Sequence, residues 1–346
     1  MLPPKLRQAD ADLASIQRRI SVSQHLNPEN EVEAQARFLR GEPARFTYRP
    51  LPAADELLRA LDRVAPPADH LLGTEVSRAR DQFRLWVEAL RDRTTAAFEA
   101  LAAHSGWLDE VDPPPPDAFP VRQPDPGVLP IHEVVSTFRA ALAARNCQGW
   151  TVHLDPVMTA RVLVDSARRE VHVNPRAVVS STDLRALVAH EIDIHVGRSE
   201  RGARQPLLLF RNGFCGSEAT EEALALRAEA RVAGLPDGAS NRLAMLSAIA
   251  LRARAQSFTG LYRGLVPLVG AAGAWMMCVR VKRGLAEPEE PGAYAKDRVY
   301  WLGWCRLHTW IAAGGDPALL MVGKVGVHHP VQSWIDAGWA SLNPPG

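Results

Sequence analysis

Apolar residues recur at three- and four-residue spacing along much of this chain, and that period predicts helices. Leu13, Ile16 and Ile20 mark one over Asp10 to Ile20. Asn27-Pro28 interrupts the pattern, and a helix follows over Glu31 to Leu39. Pro43 to Leu51 reads as extended chain, Leu57 to Val64 as a helix, and Thr74 to Ala103 as one long helix. The long helix carries Phe83, Trp86, Val87 and Leu90 on one stripe, read as core packing. Pro130 to Arg145 is helical, and Asn241 to Ala271 is largely helical and apolar. A further helix runs through Trp310 to Ala313, and Asp316-Pro317 starts another turn.

The period changes between these blocks. Trp150 to Leu154 alternates and is rich in strand formers. Arg161 to Asp165 and Glu170 to Val173 flank Ser166-Ala167-Arg168-Arg169, a hairpin turn, and Asn174-Pro175 ends the second strand. The fold class is α+β, predominantly helical, with a small sheet. Between Val111 and Gly127 a run of prolines removes backbone donors and imposes an extended conformation. It is read as a connector between a helical region, residues 1–110, and residues 128–346, the two forming one contiguous body.

A chain of 346 residues is long enough to bury a sizeable core. A formal net charge of +1 gives no reason to expect a nucleic-acid partner. Cys147, Cys215, Cys278 and Cys305 are scattered without metal-type pairing, which suits reduced thiols. The start, MLPPKLRQADADL, lacks a basic-then-apolar signal. The most apolar stretch, Leu265–Val279, is too short to span a bilayer, contains Gly and Pro, and is read as a buried helix. A cytoplasmic protein with no membrane partner is expected.

The chemistry concentrates just after the sheet. Ser181-Thr182-Asp183 has N-cap character, Leu184, Leu187 and Val188 make a buried stripe, and Gly197 or Gly202 is a plausible stop. This helix carries His190, Glu191 and His195. A second helix opens between Ser217 and Thr220, with Glu221 and Glu222 in its first turn. Two imidazoles, a neighbouring carboxylate and a later carboxylate are the parts of a hydrolytic zinc site. A small sheet followed by two such helices is the order of a zincin-like metal site, in which an edge strand pairs with an extended peptide.

The spacing is H-E-x-x-x-H, not H-E-x-x-H. On an α-helix, residues i and i+5 lie about 140° apart around the axis, too far to share an ion. A π-type turn, with i→i+5 bonding, returns them to one face. A bulge or break within Glu191–His195 is therefore expected. Glu221 and Glu222 also suit a helix N-terminus, and only one can face a metal, because adjacent residues differ by about 100°. His132-Glu133 has no second histidine at matching spacing and is read as a decoy. His328-His329, on an extended segment, would point to opposite faces and is not read as a metal site. Cys215, between the two helices, is read as a small packed residue.

HEIDIHVGR, RQPLLLF and TEEALA, in that order, resemble the H-E-I-G-T-H, Q-P-L and Q-E-G-L-A series of the family that joins bacterial QEGLA-motif proteins to the eukaryotic microtubule-associated tyrosine carboxypeptidases. LNPENEVEAQARFL, PARFTYRPLP, RGLAEPEEPGAYAKDRVYWLG and GKV resemble further family stretches, so the likeness covers most of the chain. It implies a zinc (Zn2+) metallopeptidase with His190, His195 and Glu222 as ligands and Glu191 as general base. It also implies removal of a C-terminal residue from a peptide or protein tail. Asp193 and Ile194 stand where the family has Gly and Thr, and Glu221 and Ala223 where it has Gln and Gly. Asp193 is expected to add a negative charge beside the site.

A carboxypeptidase also needs a donor for the developing oxyanion and a cation for the terminal carboxylate. Tyr300, Lys296, Arg280 and Arg283 are the candidates, with Tyr262 and Arg263 behind them. Two alternatives stay open at this point: a zinc endopeptidase or amidase, and a non-catalytic binding protein on the same scaffold.

Overall fold

The computed structural model describes residues 2–111, 127–234 and 241–344. The proline-rich connector expected between the two regions lies, over residues 112–126, outside the described residues.

Six helices come first: α1 (Pro4–Gln17), α2 (Val22–Leu26), α3 (Glu31–Leu39), α4 (Ala54–Asp62), α5 (Leu71–Asp92) and α6 (Thr95–His104). α2 lies where no helix is expected, α4 starts three residues before the expected Leu57, and two larger differences concern α1 and α5. α1 begins six residues before Asp10 because Leu6 and Ala9 extend its buried stripe, and Pro4 sits where a helix has no use for an N–H. The helix expected over Thr74–Ala103 is two. Arg93 takes a left-handed conformation (φ 53°) and Thr94 caps α6 by accepting the Ala97 N–H. Tertiary contacts hold Arg93 there: its guanidinium donates to the carbonyls of His25 and Arg49 and lies 4.3 Å from the Tyr48 ring centre.

These helices do not form a separate layer. Leu6, Leu61 and Val76 belong to one core with Phe210, Leu307 and Trp334. Asp10, buried on α1, accepts the N–H groups of Leu208 and Leu209 at 2.6 and 2.9 Å. Burial pushes its carboxyl up to about 6 despite those two donors.

α7 (Ile131–Ala144) leads to β1 (Thr151–Leu154), β2 (Val162–Asp165) and β3 (Glu170–Val173). The order is β1-β3-β2, with β1 parallel and β2 antiparallel to β3. The expected hairpin is present, its turn closed by Arg169 at φ 60° and by Asp165 accepting the Arg168 N–H. Val152, Val162, Val171 and Val173 face a core made with Phe138, Leu187 and Ile192. The sheet thus packs directly on the helix that carries the histidines.

That helix is α8 (Ser181–Leu187), a π-helix (Val188–Val196) and α9 (Gly197–Ala203) run end to end. Ser180, one residue before the expected cap, closes a reciprocal capping box with Asp183. Gly197 is helical, and the helix stops only after Ala203. Gly202 matters for another reason: a Cβ there would stand 2.1 Å from the Phe210 carbonyl oxygen. α10 (Leu209–Asn212), α11 (Glu218–Ala233), α12 (Asn241–Ala253), α13 (Phe258–Lys282), α14 (Arg298–Ala312) and α15 (Val331–Asp336) complete the chain.

α13 is longer than the buried helix expected over Leu265–Val279, and it breaks at Gly270 (φ 72°), just past Pro267. Ala274 to Val279 is largely buried, whereas Leu268 at the bend is 66% exposed, so the stretch is only half a core helix. α14 crosses α11 so closely that a Cβ on Gly303 would stand 1.8 Å from the Ala219 carbonyl oxygen. Gly303→Ala should therefore force the two helices apart, at a cost of about 1–3 kcal/mol. Urea denaturation midpoints would register the loss, and an unchanged midpoint would show that the crossing is not tight.

Candidate active site

Within the π-helix, i→i+5 bonding widens the turn, so His190 and His195 lie on the same face with ring centres 4.8 Å apart. This is the distortion that the H-E-x-x-x-H spacing requires. Glu191 joins them: one ligand atom from each of the three lies within 4.8 Å of the others. α11 brings Glu222 to the same point. Glu222 Oε2 is 3.3 Å from His190 Nε2 and 3.8 Å from His195 Nε2.

Glu222 Oε2 is buried and has no hydrogen-bond partner among the described residues. Donors about 3.3 Å apart are spaced like the corners of a tetrahedron with bonds of about 2.0–2.1 Å. Two imidazoles and an orphaned carboxylate oxygen, 3.3 and 3.8 Å from the two Nε2 atoms, are the donor types and near the spacing that a zinc-like cation takes. Glu191 reaches the same space, but Glu222 makes the direct contacts to both Nε2 atoms, so it is the better third ligand. Burial alone would raise the Glu222 carboxyl; the neighbouring imidazoles of His190 and His195 bring it down to about 2. Burial pushes the Glu191 carboxyl up, against the pull of both imidazoles.

Each histidine has a carboxylate behind it. Glu221 Oε1 lies 2.9 Å from His195 Nδ1. Glu221 also pairs with Arg198, and Lys324 Nζ is 3.1 Å from its Oε1. These two cations hold its carboxyl well below the usual range in spite of burial. Glu229 Oε1 lies 2.8 Å from His190 Nδ1. Arg198, fully buried, also donates to the carbonyls of Leu320 and Val325 at 3.0 and 2.7 Å, which fixes the loop that carries Lys324. Sequence reasoning assigned no role to Arg198, Glu229 or this use of Lys324. Two signals were present: Arg198 follows His195 by three residues, and Glu229 follows Glu222 by seven, on the same helix face.

A family model described as microtubule-associated tyrosine carboxypeptidase matches residues 115–335. The chain belongs to that family. Microtubule-associated tyrosine carboxypeptidase 1 of Homo sapiens is 29% identical over 201 residues, covering 56% of this chain and 42% of the human protein. Its Mus musculus counterpart is 28% identical over 183 residues, covering 51% of this chain and 38% of the mouse protein. The matches span less than half the length of these relatives.

Two of the departures, Asp193 and Ala223, lie away from the face shared by His190, His195 and Glu222, whereas Glu221 contacts His195. Asp193 is on the outer side of the π-helix, exposed and paired with Arg145, so the charge expected beside the site points elsewhere. The wider π turn rotates it there. Ala223 is fully buried in the core beside Leu224.

Tyr300, from α14, is half-buried near Glu222, Glu191 and Arg280; burial and the two carboxylates push its phenol up, with Arg280 opposing. Arg280 is not an open fork. It forms a bidentate pair with Asp297, 2.8 Å on both arms, and so supports Tyr300 rather than facing solvent. Arg283 and Lys296 lie in the wall of a cleft of about 330 Å3. Arg283 donates to Thr159 and lies 4.9 Å from the centre of the Tyr294 ring, while its buried Nε has no partner among the described residues. Leu26, Phe83, Trp86 and Phe214 make the cleft's apolar wall. Glu221 and Lys296 line the cleft; His190, Glu191, His195 and Glu222 are not among its lining residues.

The reserve candidates Tyr262 and Arg263 sit on α13, Tyr262 against Phe38. His132 and Glu133 are exposed on α7, as a decoy would be. His328 and His329 do not point apart: a turn, not an extended segment, sets their ring centres 4.0 Å from each other, with His329 against Glu75. Neither pair belongs to the cluster of His190, Glu191 and His195, whose ligand atoms lie within 4.8 Å of one another. Cys215 is buried, its thiol near the His104 carbonyl and pushed up to about 12 by burial.

Proposed function

We propose that this chain is a zinc-dependent carboxypeptidase that releases a C-terminal residue from a peptide or protein tail. The observation that carries the proposal is the convergence of His190 Nε2, His195 Nε2 and Glu222 Oε2 beside Glu191, next to a cleft walled by Arg283 and Lys296. Membership of the tyrosine carboxypeptidase family supports it.

Zinc held by those three residues would supply an activated water and a Lewis acid for the scissile carbonyl. Glu191 is placed to take a proton from the attacking water and return it to the leaving amine, and its raised carboxyl suits a group that must do both. The Tyr300 phenol, held protonated, can donate to the carbonyl oxygen as charge develops there. Arg283 and Lys296 would hold the terminal carboxylate, and the apolar wall suits a bulky or aromatic last side chain. β2 is an edge strand whose Leu163, Val164 and Asp165 line the cleft, so an extended peptide can lie beside it.

The test compares a peptide ending in a free carboxylate with the same peptide amidated. Cleavage of the free form alone is expected, and Lys296→Met should lower kcat/KM for it by about 10- to 100-fold, the worth of one charged hydrogen bond. Equal cleavage of the amidated peptide would make the chain an endopeptidase instead.

A further inference from the structure

The two histidines are backed by carboxylates of very different standing. Glu221, behind His195, is buried and shared with Arg198 and Lys324, so two cations offset its charge. Glu229, behind His190, is 30% exposed and its ion-pair contact is with His190. Its Oε1 is 2.8 Å from His190 Nδ1, yet the ring nitrogen makes no aligned hydrogen bond. The contact is therefore one of charge more than of direction. Glu229 also lies on the same face of α11 as Glu222, two helical turns further along, so it adds a negative charge on the side of His190 away from the ligand point.

We propose that Glu229 is a positioning residue that sets the metal affinity of the site. Through His190 it supplies a negative charge that is not shared with Arg198 and Lys324, which makes the imidazole a stronger donor to an ion at Nε2. Glu221 acts differently. It locks His195 to the loop at Lys324, and its charge is neutralised in doing so. This inference rests on the zinc reading of the site.

The experiment is a competition titration of the purified full chain with zinc and a chromophoric chelator at fixed pH. Glu229→Gln keeps the shape and removes the charge, and Glu229→Asp restores the charge on a shorter arm. The expected result is zinc binding about 10- to 100-fold weaker in Glu229→Gln, the usual consequence of losing such a partner. Glu229→Asp should recover part of the loss, and thermal unfolding of the metal-free proteins should be unchanged. Equal zinc affinity in wild type and Glu229→Gln overturns the proposal and leaves the zinc site standing. A wild type that binds no zinc removes the site itself, and with it the proposed function.

Discussion

Glu191→Gln should retain its metal and lose peptide hydrolysis by about 10²- to 10⁴-fold, the range carried by a positioned general base. The carboxylate is buried within 4.8 Å of both histidines but is not the oxygen in contact with them. A neutral amide of the same shape leaves the ligand triad in place and cannot accept a proton. His190→Ala and Glu222→Ala should fail differently, because each removes a donor from the group that would hold the ion. Metal content of the three purified variants, measured beside their rates, separates the cases. Full zinc occupancy with no activity in Glu191→Gln, and little zinc in the other two, is the expected pattern. Loss of zinc from Glu191→Gln would make Glu191 a ligand, and undiminished activity would remove it from the mechanism.

Arg198→Met should be the most damaging substitution for stability, at about 3–5 kcal/mol. Arg198 is fully buried, and its loss would leave Glu221 charged and short of a partner, with the Leu320 and Val325 carbonyls lacking a donor. Lys324, 3.1 Å from the same carboxylate, offsets only part of this. The companion variant is Glu221→Gln, which neutralises the stranded charge. Combining it with Arg198→Met should recover part of the stability, so the double-mutant cycle should be strongly non-additive. Denaturant unfolding of the four proteins measures the coupling. Independent, additive losses would mean that Arg198 acts through packing alone and that Glu221 needs no counter-charge.

Several parts of the site were legible in the chain alone because their physics is local. His190 and His195, five positions apart, lie on different faces of an α-helix, so a shared ion called for a bulge between them, and a π turn is present there. Strand formers on either side of Ser166–Arg169 specified the hairpin, and Ser and Asp before Leu184 specified a capped helix start. The resemblance of the motif series selected Glu222 over Glu221, a choice that periodicity could not make.

Where the chain misled, a distant partner was responsible. The long helix over Thr74–Ala103 broke because the Arg93 side chain is engaged by the carbonyls of His25 and Arg49, which no local pattern records. Asp193 looked like a charge at the site until the π turn directed it to Arg145. Arg280 looked like an open carboxylate fork, but Asp297 occupies both arms.

Local pattern fixed the predominantly helical class, the three short strands, and the two segments that carry His190, His195 and Glu222. Each of these follows from spacing within about one or two turns of chain. Long-range packing brings Glu222 to both imidazoles, sets Arg198 and Lys324 against Glu221, and places Glu229 behind His190. The carbonyls that hold Arg198 lie 122 and 127 residues along the chain from it. Which buried charges find one another over such distances is set by how the helices pack, as at the close crossing of α11 and α14 allowed by Gly303, and not by any local periodicity.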